Sequence, residues 1–205
     1  GIRMEKETVL EIEVKENYVS AYINTASGLT TIDNYGKVKE VATDNSKASG
    51  IQLKGIPGTG LKVGENFSDD EDKVKFLLDI ITKEYYFDIV SIDFTNDSEI
   101  VLEFKNSFKV IFGDLKDYAK KTQIIGILIK KIQGSLVKNF VVELSGRNIR
   151  IWCDGKEIVS GEVIFCRIKN KEPKLGAKAL NVDIDTKGDN IKFRVRSKEY
   201  ENLSS

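Results

Sequence analysis

Residues 100–132, IVLEFKNSFKVIFGDLKDYAKKTQIIGILIKKI, decide how this chain folds. Ile100, Leu102 and Phe104 fall at period two, as do Phe108, Val110 and Phe112 after Lys105-Asn106-Ser107, so the stretch opens as a β-hairpin with one apolar face. That face needs a cover. Gly113 breaks the pattern, Asp114 is placed to cap a helix, and Leu115, Tyr118, Ala119, Thr122, Ile125, Leu128, Ile129 and Ile132 recur at spacings of three and four. Hairpin and helix are expected to pack as one unit.

Upstream, Thr8 to Ala21 alternates Leu10, Ile12 and Val14 with charged residues, which predicts one long or broken strand running on to Ile23. Gly28 to Val38 reads as a hairpin, because Asn34 and Gly36 tolerate the backbone of a tight turn. A loop over Thr43–Gly50 leads to a strand at Ile51-Gln52-Leu53. The glycines of Gly55–Gly64 invite a phosphate-loop reading, but Leu61 follows Gly60 where that loop needs Lys and then Ser or Thr. A glycine-permitted connection is the plainer reading. Ser68–Tyr86 predicts a first helix with Ser68 as N-cap and Val74, Leu77, Leu78 and Ile81 on one face. Asp69, Asp70, Glu71 and Asp72 suit its positive end, and they lack the alternation and central glycine of an EF-hand loop. With a strand at Ile89–Phe94, the order predicts segregated helices rather than a regular βαβ alternation, and no nucleotide crevice.

Downstream, Phe140–Leu144, Asn148–Cys153 and Ile158–Ile168 are strand-like, separated by Ser145-Gly146 and Asp154-Gly155. Arg147, Arg150, Trp152, Lys156, Phe165, Arg167 and Lys169 interleave basic and aromatic side chains, a pattern suited to stacking sugars or bases. A two-sided sheet with wet basic positions is the plainer reading, because the chain has no RNP-like motif and no overall basic excess. Two last strands follow at Leu180–Asp185 and Ile191–Val195, with a turn at Lys187–Asn190. Asp183 and Asp185 share one side of their strand, the placement that paired-carboxylate chemistry needs, but an ordinary solvated face is the plainer reading.

Composition removes several classes of function. Lys plus Arg number 32 and Asp plus Glu 32, so no net charge draws the chain to nucleic acid or an anionic membrane. Without histidine there is no Ser-His-Asp or Cys-His nucleophile, which leaves catalysis only Lys, Tyr or carboxylates. Cys153 and Cys166 fall short of the common zinc sites and leave open a disulfide or two free thiols. No cofactor is expected. No apolar run is long enough for a bilayer and no signal peptide opens the chain, so an exported or anchored protein would have its leader elsewhere.

Five segments in order resemble the extracytoplasmic β domain of the FtsQ/DivIB family of bacterial cell-division proteins. TVLEIEVKENYVSAYI is similar to the last strand of a POTRA domain, TIDNYGKVKEV to the family's hairpin, and IQLKGIPGTGLKVGENF to the approach to its first helix. FKVIFGDLKDYAKKTQIIGILIKKI resembles its strand, glycine and Lys-containing helix, and LNVDIDTKGDNIKFR its terminal strands. The resemblance divides the chain into a truncated POTRA strand (1–16), a β domain (17–134 and 177–197), a β-hairpin insertion (135–176) that the family lacks, and a polar tail (198–205). It implies an α+β fold, a mostly antiparallel β-sheet with two amphipathic helices packed on one face and a β-rich insertion. It also implies a non-enzymatic scaffold at the division septum, outside a cell membrane that a single-pass anchor absent here would cross. Its partners would be FtsL and DivIC/FtsB-type proteins and, through them, the septal peptidoglycan synthase. By position, Asp183, Ile184, Asp185, Thr186, Asn190, Ile191, Lys192, Phe193, Arg194 and Val195 would form the partner site, with the terminal strand as a free sheet edge. The alternative is a cell-surface glycan-binding or adhesive module acting through 135–176, with Trp152 and Phe165 as stacking platforms.

Overall fold

A computed structural model describes residues 16–132, 140–145, 148–153, 155–167, 179–186 and 189–196; the strand expected over 8–15 and the tail over 198–205 lie outside them. The strands are β1 (Val19–Thr25), β2 (Gly28–Asp33), β3 (Val38–Thr43), β4 (Ile51–Lys54), β5 (Ile89–Asp93), β6 (Ile100–Phe104), β7 (Lys109–Gly113), β8 (Phe140–Ser145), β9 (Asn148–Cys153), β10 (Lys156–Arg167), β11 (Ala179–Thr186) and β12 (Asp189–Arg196). Two α-helices accompany them, α1 (Glu71–Ile81) and α2 (Tyr118–Ile132). The fold is therefore α+β and mostly sheet. Its strand order is β11-β12-β10-β9-β8-β7-β6-β5-β4-β1-β2-β3.

Most neighbours run antiparallel, but β1–β4, β4–β5 and β7–β8 are parallel. Parallel neighbours cannot be joined by a tight turn and need a long crossover. Here α1 carries the chain from β4 to β5, and α2 from β7 to β8. The expected α+β pattern without a regular βαβ alternation holds, although each helix is a crossover between parallel strands, set among antiparallel hairpins. The four-residue β4 is too short to announce its direction in the sequence.

The hairpin over 100–113 forms as the alternation predicts, with Lys105–Ser107 as a single 3-10 turn. The helix behind it starts later than Asp114. That residue instead accepts a backbone hydrogen bond from Lys116 at 3.1 Å, Asp117 adopts a φ of 54°, and α2 begins at Tyr118. The first helix shifts in the same way. Asp70, not Ser68, is its N-cap, accepting from Asp72 N at 2.9 Å, while Ser68 Oγ accepts from Asp70 N one step earlier. It ends at Ile81, and Tyr86–Asp88 is a separate 3-10 turn.

One core joins these elements. Ile23, Leu53, Ile92, Leu102, Val110, Phe112, Val142 and Ile151 point from the strands into a cluster that includes Phe76, Leu77 and Ile80 of α1 and Ile125 and Leu128 of α2. Phe76 is its hub, with ring centroids 4.9 Å from Phe112, 6.0 Å from Tyr118 and 6.2 Å from Phe94. The helices are also tied to each other: Thr122 Oγ1 donates to Asp79 Oδ2 at 2.6 Å, and the Tyr85 hydroxyl donates to Thr122 O at 2.7 Å. Along α2 the expected stripe holds at Thr122, Ile125, Leu128 and Ile129, but Ala119 is exposed and Lys121 is buried.

The segment expected to be an insertion contributes strands to this sheet. Val142, Leu144, Ile149 and Ile151 are buried in the common core, and β8, β9 and β10 lie between β7 and β12. The twelve-residue β10 pairs with β9 through Glu162 and with β12 from Val163 onward, handing the ladder from one neighbour to the next. Beyond it, β11 passes within 8 Å, Cα to Cα, of α2.

Truncating a hub should cost far more than truncating an outlier. Phe76→Ala is expected to lower the unfolding free energy by about 3–5 kcal/mol, whereas Phe87→Ala, at a residue 77% exposed, should change it by less than about 0.5 kcal/mol. Urea denaturation compares the two, and equal losses would contradict this account of the core.

Candidate functional site

The terminal strands carry the partner residues expected from sequence. Within β12, Ile191–Val195 pairs with Val163–Arg167 of β10 on one side, while the strand pairs along its whole length with β11 on the other. Both of its backbone edges are in use. The expectation that the last strand is a free edge is therefore corrected: Asn190, Ile191, Lys192, Phe193, Arg194 and Val195 lie on an interior strand. Among the described strands the open edge is β11, which brings Asp183, Ile184, Asp185 and Thr186 to the end of the sheet.

The other end is β3, and the two edges differ in kind. The β2–β3 register shifts twice and Ala42 takes a φ of 52°, irregularities of the kind that discourage a further strand. The β11–β12 register runs without a shift from Ala179↔Arg196 to Thr186↔Asp189. Strand β11, ALNVDIDT, holds no Lys, Arg or Pro to guard its outer side. Its Asp183 stands opposite Lys192 and its Asp185 opposite Asn190, so the two carboxylates of the suspected pair have different neighbours in the ladder.

The stacking platform does not assemble. Trp152 lies under the Arg150 guanidinium, 4.7 Å from its ring centroid. Arg150 is held there by Glu157, which accepts from its Nε at 2.9 Å, and by Glu143 at 3.6 Å. Trp152 pairs with Glu157 on β10, and Phe165 lies eight residues further along that strand. At about 3.3 Å per residue the two positions are roughly 26 Å apart, too far to grip one short sugar together. The same ladder separates the cysteines. Cys153 pairs with Lys156, ten residues before Cys166 on β10. A disulfide needs Cα atoms within about 7 Å and the strand spans roughly 33 Å over that distance, so an internal bridge is excluded.

Several buried polar groups went unnoticed in the sequence, and each has its partners inside the fold. Lys121 Nζ donates to Phe112 O at 3.0 Å, Asp114 O at 2.8 Å and Asp114 Oδ1 at 3.2 Å, and lies 4.9 Å from the Phe112 ring centroid. An ammonium has three donors, and here all three are used. Burial pushes the Asp114 carboxyl up, but its hydrogen bond and charge pairing with Lys121 outweigh that and hold it below the usual carboxylate range. The signal for Lys121 is its position three after Tyr118 and four before Ile125, on the buried stripe. Burial pushes Tyr85 up strongly and Tyr86 to about 12, so both phenols stay neutral; Tyr86 donates to Ser20 O at 2.7 Å. On the sheet, Glu103 accepts from Lys54 at 2.8 Å and from Ser91 at 2.6 Å, and these bonds lower its pKa.

Among the described residues, no group of three or more His, Cys, Asp or Glu is placed to hold a metal ion, and no helix is long and apolar enough to cross a membrane. What the described surface offers is a backbone edge. No family model, curated protein or solved structure matches the chain.

The acid limb of stability follows from the depressed carboxyls. Glu103 and Asp114 have folded pKa values below their ordinary 4.5 and 3.8, so their stabilisation is present above that range and lost as pH falls through the folded values. Glu103→Gln should flatten the loss of stability below pH 4.5 and cost about 0.2–1 kcal/mol at pH 7, as for an exposed pair. Thermal melts across pH read both; an unchanged acid slope would contradict the Lys54–Glu103–Ser91 arrangement.

Proposed function

We propose that this chain is a non-enzymatic scaffold of the bacterial divisome, of the FtsQ/DivIB type, working on the extracytoplasmic side of the cell membrane at the septum. In this reading β11 takes up a strand from an FtsL or DivIC/FtsB-type partner and links that partner to septal peptidoglycan synthesis. The observation that carries it is the regular β11–β12 register, with β11 as the last strand of a long sheet among the described residues. Unpaired N–H and C=O groups along such an edge are a template for β-augmentation. The order of five segments from Thr8 to Arg194 supports the family, and the absence of histidine supports a binding role over nucleophilic catalysis. Strands β8–β10 are then an enlargement of the family's sheet, carrying the partner edge away from α1. The glycan-binding alternative is weaker, because Arg150 already occupies one face of Trp152.

Titration with the extracytoplasmic segments of FtsL and DivIC/FtsB-type proteins tests this. Binding to at least one is expected, and replacing Asp183 and Asp185 together by Lys should weaken it at least about tenfold, while Lys39→Glu on the β3 edge leaves it unchanged. Equal binding by the β11 variant would remove the site, and no binding to any segment would remove the reading.

A further inference from the structure

The sequence of β11 is complementary to itself, and we infer that this edge pairs with the β11 of a second copy of the chain in an antiparallel, two-fold symmetric register centred on Val182. The inference goes beyond the partner reading and needs no other protein. Two-fold pairing of a strand with its own copy requires that residue positions on either side of the axis match each other. With Val182 on the axis, Leu180 stands opposite Ile184, Asn181 opposite Asp183, and Ala179 opposite Asp185. Apolar positions meet apolar ones, and each Asp meets a neutral residue, Asn181 with an amide that can donate to a carboxylate.

Neighbouring registers are worse: centring on Asn181 pairs only residues 179–183 of the strand, against 179–185 about Val182. Centring on Asp183 sets that carboxylate against its own copy, and like charges directly opposite destabilise a ladder. A slip by one residue sets Val182 opposite Asp183 and mismatches the two faces throughout. The opposite end of the sheet offers no such match, because β3 is short, shifted in register and kinked at Ala42. Self-pairing would join two sheets across β11 and close that edge to a heterologous strand while it lasts.

Cysteine trapping in the full chain, with Cys153 and Cys166 replaced by Ser, tests the register. Directly opposed Cα atoms lie about 4.5–5.5 Å apart, within reach of a disulfide, so Val182→Cys should form a covalent dimer under mild oxidation. Leu180→Cys and Ile184→Cys should each fail to do so alone, yet cross-link when mixed. In sedimentation of the otherwise unaltered chain, Asn181→Asp should weaken dimerisation at least tenfold at neutral pH by opposing two carboxylates on each side of the axis, and Asn181→Lys should not. Cross-linking no faster at 182 than at 180 or 184, or an unaltered chain that sediments as a monomer at every concentration, would overturn the inference.

Discussion

The crossover from β7 through α2 to β8 is the constraint on which the rest of the fold depends. Parallel neighbours can be built only if the chain leaves the end of one strand and returns to the start of the next. Gly113 makes the departure possible: its φ is 75°, and a Cβ there would lie 2.9 Å from Leu144 O, on the very strand the crossover reaches. Lys121 then closes the bend by binding the carbonyls of Phe112 and Asp114. Without this turn, β8 has no place beside β7, and β9 to β12 have no sheet to join.

Polar groups inside this protein serve as ties between elements. The Tyr85–Thr122–Asp79 chain joins the two helices, Tyr86 reaches the backbone of β1, and Lys121 binds helix to strand. An unpaired buried donor or acceptor costs more than a made hydrogen bond contributes. These ties therefore fix relative positions rather than supplying large net stability. Among the described residues, the buried ionisable groups Asp33, Lys121, Tyr85 and Tyr86 are therefore engaged within the fold.

Much of the architecture was legible because period two and period 3.6 were both strong. The hairpin of Ile100–Phe112 and the stripe from Thr122 to Ile129 follow directly from residue spacing. Strand direction was not legible: β4 is four residues long, and nothing in IQLK says whether its neighbours are parallel. Helix starts moved because short polar residues compete for the same backbone donors. Ser68 and Asp70 both offer an acceptor, and Asp114 was drawn into a turn and the Lys121 pairing. Alternation revealed the terminal strands and the family resemblance supplied the residues of the candidate site, but which strand is an edge depends on pairing across more than twenty residues of sequence, as between Phe165 and Phe193. The same long-range register separated Trp152 from Phe165 and Cys153 from Cys166, pairs that sequence proximity had brought together.

If 140–167 belongs to the sheet, its strands must unfold with the rest. Native-state hydrogen exchange measures this directly by comparing amides of Val142, Leu144, Ile149 and Ile151 with those of Leu102 and Val110. The account predicts one common opening free energy for both groups, equal to that of global unfolding. Exchange of the β8 and β9 amides through a separate opening of much lower free energy, with β6 and β7 still protected, would contradict it.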